Sequence, residues 1–513
     1  MGQKLFSRDR LFSEKALVVY FIVLKLVLCL FPFEYGYFRD ELYYIALSDN
    51  LDFGYVDVPP IVPFLLAVVR RLLGTSFFSL HLLPALSGAL VVWIASLIVK
   101  KMGGGFNALL LTLVCVTVAP IYICWESVYS YDAFDKLWWT LALYFMVLLL
   151  TTDDGKYWIS FGIVAGLGLL TKISILFLGF GLVVALLATK SRKYFLSRHI
   201  WLGGMIAFLL FSPYLLWQLK EGLPALEYYT AYASGKTAAV TPAEFIKNQA
   251  VVMNPLAFPI WLTGLGYFIF SKKGKTFRVF GYAYLVILIL CIYLQVKFYL
   301  PAPFYTVLFA GGAVSIERLA ERRRFRWLRK VPAVLILLLG LASVPFVRPV
   351  LPVEILMKYS GRGVYMGVKG ERHRLGRLHQ HFADRFGWEV MAKNIGRVYH
   401  TLSKEEQAKA CVLTGNYGQA GAVWLFGQAH HLPKPICGHL QYYLWGPKGY
   451  SGQVVIAIGI DEHTLKDHFK SVQLLYTHVC LLALRYERYL GIYVCKEPKK
   501  PLEDMWPEFK HMD

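Results

Sequence analysis

The stretch ALVVYFIVLKLVLCLFP at residues 16–32, followed closely by Arg39-Asp40-Glu41, decides how this chain folds. The first part is an apolar run long enough to cross a bilayer. It ends without a small-x-small cleavage pattern, so we expect it to remain as the first span. Lys25 inside the run predicts a buried ion pair. The two carboxylates that follow lie where the chain leaves the bilayer, and acidic groups there need a partner, water or a function.

Composition extends this reading to the whole chain. The 513 residues are 57% hydrophobic and 17% charged, whereas soluble proteins carry about 25% charged residues. Apolar runs recur, and they predict a polytopic α-helical membrane protein with about eleven spans. The predicted spans lie near residues 16–32, 82–99, 105–123, 134–151, 158–171, 173–189, 200–217, 254–270, 278–296, 301–316 and 331–347.

The formal net charge of +21 comes from basic residues that are concentrated in alternate loops. This is the positive-inside pattern, so the N-terminus is predicted to be cytoplasmic. The distribution argues against nucleic acid as a partner, because the charge follows the membrane topology rather than one binding face. The basic residues that carry the pattern are Lys4, Arg8, Arg10, Lys15, Lys100, Lys101, Lys156, Lys190, Arg192, Lys193, Arg198, Lys272, Lys273, Lys275, Arg278 and those of residues 318–330.

The pattern changes after the last apolar run. Predicted strands at 410–413 and 454–459 alternate with predicted helices at 388–401 and 418–428, which indicates a soluble α/β domain. We therefore divide the chain into a transmembrane domain, residues 1–350, and an extracytoplasmic, periplasmic domain, residues 351–513. In that compartment the domain's four cysteines could form one or two disulfides or could remain free buried thiols, and the sequence leaves both alternatives open. These are Cys411, Cys437, Cys480 and Cys495.

Acidic residues form two groups at one predicted membrane face. The first outer loop, residues 33–81, carries Asp40, Glu41 and Asp57, and the second group is Asp132 with Asp135 at the edge of another apolar run. Two carboxylate groups at one face suggest acid/base chemistry on a substrate that arrives through the lipid. A tyrosine-rich outer loop near 218–253 is either a lid or an ordered connection.

Several motifs resemble, in order along most of the chain, those of the bacterial polyprenyl-phosphate-sugar-dependent glycosyltransferases of the GT-C fold. That family includes protein O-mannosyltransferases and the lipid A aminoarabinose transferase. The motifs are Phe38-Arg39-Asp40-Glu41-Leu42-Tyr43-Tyr44, Gly54-Tyr55-Val56-Asp57-Val58-Pro59-Pro60, Tyr131-Asp132-Ala133, Gly166-Leu167-Gly168-Leu169-Leu170-Thr171-Lys172, Asn254-Pro255-Leu256, Lys297-Phe298-Tyr299-Leu300-Pro301-Ala302, Asn416-Tyr417-Gly418-Gln419-Ala420 and residues 438–447.

The resemblance implies transfer of a hexose or pentose from a polyprenyl phosphate to a lipid, protein or glycan on the outer face of a bacterial inner membrane. Asp40 matches the catalytic aspartate and is the expected general base of an inverting reaction, and a salt bridge to Arg39 is its structural alternative. Glu41 is expected either to orient Asp40 directly or to act indirectly, by holding the residues that surround it. Asp132 is expected to position the acceptor or the base.

The leaving phosphate needs cationic partners. Lys297 and Tyr299 are the first choice, with Lys172 and Arg70 next; Arg71 and Lys236 are weaker candidates. An interfacial lysine that only reaches toward the headgroups is the alternative for Lys297.

Asp57 matches a position near a metal or phosphate in relatives, but Val58 replaces a residue that is often His or Lys. A site with Mg²⁺ or Mn²⁺ and a site without metal both stay open.

Two rival functions remain. A transporter or lipid flippase usually has internal repeats and a midplane site, and neither is visible here. A catalytically inactive scaffold would have no need to keep both Asp40 and Asp132. The chain has no P-loop and no Gly-rich dinucleotide-binding motif, which argues against direct use of a nucleotide sugar. The sugar and the acceptor stay open.

Overall fold

The computed structural model describes residues 13–31, 35–235, 240–360 and 378–512; Lys236 lies outside them. The first two thirds of the chain are helical; ten of the eleven predicted spans each overlap one α-helix, and the span near 105–123 is divided between two. The helices are α1 (Glu14–Leu30), α2 (Arg39–Asp49), α3 (Ile61–Leu73), α4 (Phe77–Lys101), α5 (Phe106–Thr117), α6 (Pro120–Glu126), α7 (Tyr131–Thr152), α8 (Tyr157–Leu169), α9 (Ile175–Leu187), α10 (Arg198–Lys220), α11 (Pro224–Gly235), α12 (Pro242–Val252), α13 (Phe258–Phe270), α14 (Arg278–Tyr293), α15 (Tyr305–Leu319), α16 (Val331–Val347) and α17 (Val353–Ser360).

Not every predicted span is a full-length straight helix. Within the described residues, five helical segments are long and apolar enough to cross a membrane, and the number rises to eight if each of three bent helix pairs is one span. The bends measure 57°, 109° and 101°. The 57° bend lies between α5 and α6, where Pro120 begins the second helix, because proline favours the first turn of a helix. The polytopic helical architecture is confirmed, while about eleven spans stays a prediction.

Buried charges join three helices of the bundle. Lys25 of α1 lies 2.5 Å from Oε2 of Glu126 at the end of α6, and Lys136 of α7 contacts Oε1 of the same carboxylate. None of the three side chains is exposed. Lys25 also donates to the carbonyl of Thr117 at 2.8 Å. The expected pairing of Lys25 is therefore present, and Glu126 joins α1, α6 and α7 at one point.

The C-terminal part is a five-stranded sheet with helices around it. Its strand order is β2-β1-β3-β5-β4, in which β1 pairs in parallel with β2 and β3, and β5 pairs antiparallel with β3 and β4. Strands β1 and β3 are buried along their whole length. The elements are α18 (Gln380–Ala383), α19 (Trp388–Thr401), α20 (Lys404–Lys409), β1 (Ala410–Thr414), α21 (Tyr417–Phe426), β2 (Ile436–Cys437), α22 (Gln441–Leu444), β3 (Val454–Ile458), α23 (Glu462–His468), β4 (Phe469–Val479), β5 (Tyr489–Pro498) and α24 (Leu502–Met505).

This domain packs on the bundle through two crossing helices, α21 and α2. A Cβ added at Gly418 would lie 2.7 Å from the side chain of Arg39, and one added at Gly421 would lie 2.8 Å from Leu42. The spacing of three residues places both glycines on one face of α21. Glycine at these two positions allows the close approach of the helices, and α2 is thereby covered by the C-terminal domain.

All eight cysteines carry free thiols. In the C-terminal domain Cys411, Cys437 and Cys495 are buried and Cys480 is partly exposed. Of the two alternatives left open for these cysteines, the structure has the reduced one.

Candidate active site

Three consecutive side chains at the start of α2 point to three different surroundings. Helix α2 begins at Arg39, and Oε2 of Glu41 accepts the backbone N–H of Phe38 at 2.9 Å, which satisfies a donor that the first turn leaves open. Successive residues of a helix are rotated by about 100°. Arg39 therefore meets the C-terminal domain, Glu41 meets the bundle, and Asp40 lies between them.

Arg39 is bound by the C-terminal domain rather than by its neighbour Asp40. Its guanidinium lies 3.1 Å from Oδ1 of Asp384 and 3.3 Å from Oε1 of Glu487, and it donates to the hydroxyl of Tyr486 at 2.7 Å. The side chain of Arg39 is 7% exposed. Two carboxylates around one buried guanidinium make this a strong anchor between the domain and α2.

Glu41 is fully buried against the bundle. Its Oε1 lies 2.7 Å from Nε2 of His81 on α4 and accepts the backbone N–H of Tyr129 at 2.9 Å. Burial opposes the ionisation of Glu41, but His81, Arg385 and the N–H of Tyr129 outweigh it and lower the pKa of this carboxyl. Each of these contacts is structural, so Glu41 fits a residue that orients α2.

Asp40 is partly exposed, and its carboxylate meets the C-terminal domain. The hydroxyl of Tyr417, the first residue of α21, donates to Oδ1 of Asp40 at 2.8 Å. The ring of Tyr417 lies 5.2 Å from that of Tyr43, one turn further along α2. The expected general base therefore lies where the helical bundle meets the C-terminal domain.

Asp57 is connected to the surroundings of Asp40 through Tyr43. Its Oδ1 accepts the hydroxyl of Tyr43 at 2.9 Å, and the backbone N–H of Val56 donates to the side chain of Gln441 at 3.0 Å. No group of three or more His, Cys, Asp and Glu able to hold a metal ion occurs among the described residues. The described residues alone therefore do not complete a metal site at Asp57, and Mg²⁺ or Mn²⁺ there stays a prediction.

Asp132 begins the second acidic group at the first turn of α7. Lys172 Nζ lies 2.5 Å from its Oδ1, and the two side chains are 17% and 14% exposed. Asp135, one turn on, is buried and accepts the hydroxyl of Ser174 at 2.7 Å. Asp132 is therefore partly exposed, whereas Asp135 is bound inside the bundle.

Two lysines from distant parts of the chain share one aromatic ring. Lys172 Nζ and Lys297 Nζ each lie 5.7 Å from the ring centre of Tyr299. Lys172 also lies 4.6 Å from the ring of Tyr131. The predicted phosphate contacts Lys172, Lys297 and Tyr299 thus form one cluster beside Asp132.

Tyr44 connects the two acidic groups. Its hydroxyl accepts the backbone N–H of Tyr131 at 3.4 Å. Burial, and then the charges of Asp57, Asp40 and Asp132, raise the pKa of Tyr44 well above its ordinary value. The hydrogen bond of Tyr44 therefore joins α2, which begins with the first acidic group, to the start of α7, which carries the second.

Arg70 lies away from this cluster. Its guanidinium donates to the carbonyl of Ile45 at 3.1 Å, to Ser48 at 2.6 Å and to Asp49 at 2.7 Å. These groups form the last turn of α2, about 13 Å along the helix from Asp40. A cation at a helix C-terminus satisfies the open carbonyl groups. The structure gives Arg70 this role and does not bring it to the lysine cluster.

Several residues of the site carried no functional prediction. His81 is an isolated histidine in an apolar helix, and Tyr417 was noted only as part of a motif. Glu487 and Asp384, which hold Arg39, lie more than 300 positions from it along the chain. The only signal in the sequence was the motif around Asn416, which the resemblance placed in the outer domain without a partner.

The chain is similar to known proteins both in sequence and in fold. Residues 57–217 match the sequence model of the family described as dolichyl-phosphate-mannose-protein mannosyltransferase. A sequence search of curated proteins gives no match. The fold is similar to that of ArnT from Cupriavidus metallidurans bound to undecaprenyl phosphate, with a TM-score of 0.60, 15% identity, and coverage of 95% of this chain and 98% of ArnT.

A second similar structure is the archaeal oligosaccharyltransferase AglB from Archaeoglobus fulgidus, in complex with an inhibitory peptide and a dolichol-phosphate. Its TM-score is 0.53 at 11% identity, over 88% of this chain and 70% of AglB. The family match includes Asp57, Asp132 and Lys172, and the structural matches extend the likeness of fold to both parts of the chain. The protein is thus a multi-pass membrane protein of the GT-C fold, and its resemblance to polyprenyl-phosphate-sugar-dependent glycosyltransferases is confirmed.

Proposed function

We propose that this protein transfers a sugar from a polyprenyl-phosphate donor to an acceptor hydroxyl at the outer face of the membrane. The observation that carries the proposal is the link from Tyr44, one turn along α2 from Asp40, to the start of α7, where Asp132 pairs with Lys172 beside Lys297. The family match and the ligands of the similar structures, undecaprenyl phosphate in ArnT and dolichol-phosphate in AglB, support this class of donor.

Asp40 is the general base of the proposed reaction. The acceptor hydroxyl is a weak nucleophile, so a carboxylate must take its proton as the oxygen attacks the anomeric carbon. The new C–O bond forms on the face opposite the phosphate, and the old bond breaks with its electron pair leaving on the phosphate oxygen. The anomeric centre is inverted, and no sugar is attached to the enzyme.

The lysines balance the charge of the leaving group. Asp132 neutralises one charge of the pair Lys172 and Lys297, so the three groups together carry a net positive charge of one. A polyprenyl phosphate that leaves carries negative charge, and preplaced cations stabilise it as that charge develops. The ring of Tyr299 contacts both amines and provides an apolar surface under the phosphate headgroup.

The orientation proposed for the site follows the distribution of positive charge. Basic residues are concentrated at the ends of helices away from the C-terminal domain, such as Lys100 at the end of α4 and Arg318 in the last turn of α15. The positive-inside rule then puts the N-terminus in the cytoplasm and the site and domain outside. This topology suits the inner membrane of a bacterium and an acceptor that is an envelope lipid, protein or glycan.

The deciding experiment compares the native protein with Asp40→Asn. Purified protein in lipid is incubated with radiolabelled polyprenyl-phosphate sugars and an envelope extract, and the label is followed into lipid, protein and glycan fractions. We expect transfer by the native protein and a loss of at least a thousandfold in Asp40→Asn, on the order of what a general base and its positioning contribute together.

Asp154→Asn is the matched control. Asp154 is an exposed aspartate just beyond the other end of α7, so its substitution should leave the rate unchanged. Transfer by Asp40→Asn at the native rate would refute the role of Asp40. Absence of transfer from every donor by folded native protein would instead favour a transporter or flippase.

A further inference from the structure

The candidate base Asp40 is held by a residue from the other end of the chain. Tyr417 donates its hydroxyl to Oδ1 of Asp40 at 2.8 Å, although the two residues are 377 positions apart. Neither the general-base chemistry nor the donor-phosphate cluster uses Tyr417. A phenol that donates to a carboxylate fixes its orientation and favours its ionised form.

The position of Tyr417 is set by a network of polar side chains rather than by one bond. Asn416, which precedes it, accepts the backbone N–H groups of Gly418 and Gln419 at 3.0 and 3.1 Å and so begins α21. The amides of Asn416 and Gln419 donate to the two oxygens of Glu487 at 2.7 and 2.9 Å. Asn416 and Glu487 therefore hold the first turn of α21 in place.

The same glutamate joins this turn to the first turn of α2. Glu487 Oε1 lies 3.3 Å from the guanidinium of Arg39, next to Asp40 in sequence. Arg39, Glu487 and Asn416 thus connect the starts of the two helices, and Tyr417 and Asp40 meet beside that connection. The close approach of Gly418 to Arg39 fits the same register. The bond between Tyr417 and Asp40 is therefore built into the docking of the domain.

The surroundings of the phenol keep it a donor. Its ring lies 5.2 Å from that of Tyr43 and 5.1 Å from that of His439. Burial, and then the charge of Asp40, raise the pKa of Tyr417 well above its ordinary value. Tyr417 therefore stays protonated at neutral pH, and its hydroxyl remains the donor to Asp40.

We propose that Tyr417 is a positioning residue of the reaction: its hydroxyl binds Oδ1 of Asp40 and fixes the orientation in which this carboxylate takes the proton of the acceptor hydroxyl. The C-terminal domain is then part of the active site and not only a cover over it. This inference rests on the proposed function, because it assigns Tyr417 a role toward the base of that reaction.

The test is the pH dependence of kcat/KM for sugar transfer, measured with the donor that the native protein uses. Its acidic limb reports the ionisation of the base in the free enzyme. Because Tyr417→Phe removes a donor to the ionised form, we expect that limb to move up by about one pH unit. We also expect the rate on the plateau to fall by about tenfold or more. A merely structural tyrosine would lower the amount of folded protein and leave the limb in place.

Tyr442→Phe is the matched control. Tyr442 is buried in the same domain with its ring 6.0 Å from Tyr43, and it makes no contact with Asp40 among the described contacts. It should leave the acidic limb unchanged. If Tyr417→Phe fails to fold, 3-fluorotyrosine at position 417 decides, because it keeps the shape and donates more strongly. The limb should then move to lower pH.

The outcomes separate this inference from the function on which it rests. Transfer by the native protein, with an acidic limb that neither Tyr417→Phe nor the fluorinated residue moves, would overturn the role of Tyr417 alone. A native protein that transfers no sugar would overturn both. Opposite shifts in the two variants, with Tyr442→Phe at the native position, would establish Tyr417 as the residue that positions Asp40.

Discussion

Oε1 of Glu41 and Nε2 of His81 lie 2.7 Å apart, and the two side chains are 0% and 3% exposed. This pair fixes the first turn of α2 to α4 and leaves Asp40, the next residue toward the N-terminus, at the edge of the site. The acidic pair of the sequence is thus divided into one residue that faces the site and one that holds the helix.

The pair of Glu41 and His81 makes the free energy of unfolding depend on pH. The pKa of Glu41 is lowered in the folded protein, so its contribution to stability is complete above the ordinary value of 4.5 and is lost as the pH falls through the folded value. We expect Glu41→Gln to lower the free energy of unfolding by about 1–3 kcal/mol at neutral pH, since it weakens the buried hydrogen bonds to His81 and Tyr129. The difference between the thermal melts of the two proteins should begin to shrink as the pH falls below about 4.5 and should vanish only below the lowered pKa of Glu41 in the folded protein. A constant difference at all pH values would contradict this ionisation.

Lys297 is predicted to act on the donor. Substitution to Gln removes one of two cations beside Tyr299, so the KM for the polyprenyl-phosphate donor should rise by about tenfold or more. The KM for the acceptor should change little. Lys220→Gln, on a lysine whose side chain is 82% exposed, is the control and should leave both constants unchanged. An unchanged donor KM in Lys297→Gln would leave Lys297 as an interfacial lysine.

Arg70 provides the opposite signature. Because its guanidinium binds the last turn of α2, Arg70→Gln should lower stability by about 1–3 kcal/mol. The donor KM should stay at the native value. Denaturant unfolding measures whether Arg70 stabilises the end of α2, and donor titrations measure whether it binds the donor phosphate. A donor KM that rises with unchanged stability would return Arg70 to the phosphate site.

Glu126 is predicted to be the most sensitive charge of the bundle. Glu126→Gln leaves Lys25 and Lys136 buried beside each other without their carboxylate, and this should destabilise the protein by about 3–5 kcal/mol. The double variant with Lys25→Met should recover part of that loss, because it removes one of the two cations. Melting temperatures of the single and double variants in one lipid give the comparison. Additive losses would show that the two charges do not interact.

The helical part of the fold was predictable because apolar runs of membrane length have few alternatives. A helix covers each predicted segment, and strands β1 and β3 lie where buried apolar runs indicated them. Strand β4 was not predicted. Eight of its eleven residues are exposed, so the hydrophobic pattern that marks a strand is weak there. The lengths and bends of the spans could not be predicted either, because they depend on the packing of neighbouring helices.

The site was predictable only in part. The resemblance supplied Asp40, Asp132, Lys172 and Lys297 one by one, and the structure brings them together. The partners of these residues could not be derived, because pairings such as Asp40 with Tyr417 depend on how two domains dock and leave no periodic pattern in the sequence. Residues that carry chemistry were visible, and residues that place them were not.

The first turn of α2 also limits how this protein can be recombined. Arg39 belongs to the interface with the C-terminal domain, Glu41 belongs to the bundle, and they are separated by a single residue. A chimera that joins this bundle to the soluble domain of a relative would have to bring matching partners for both sides of that turn. Exchange of the C-terminal domain is therefore expected to require exchange of the loop that carries Arg39 and Glu41 as well.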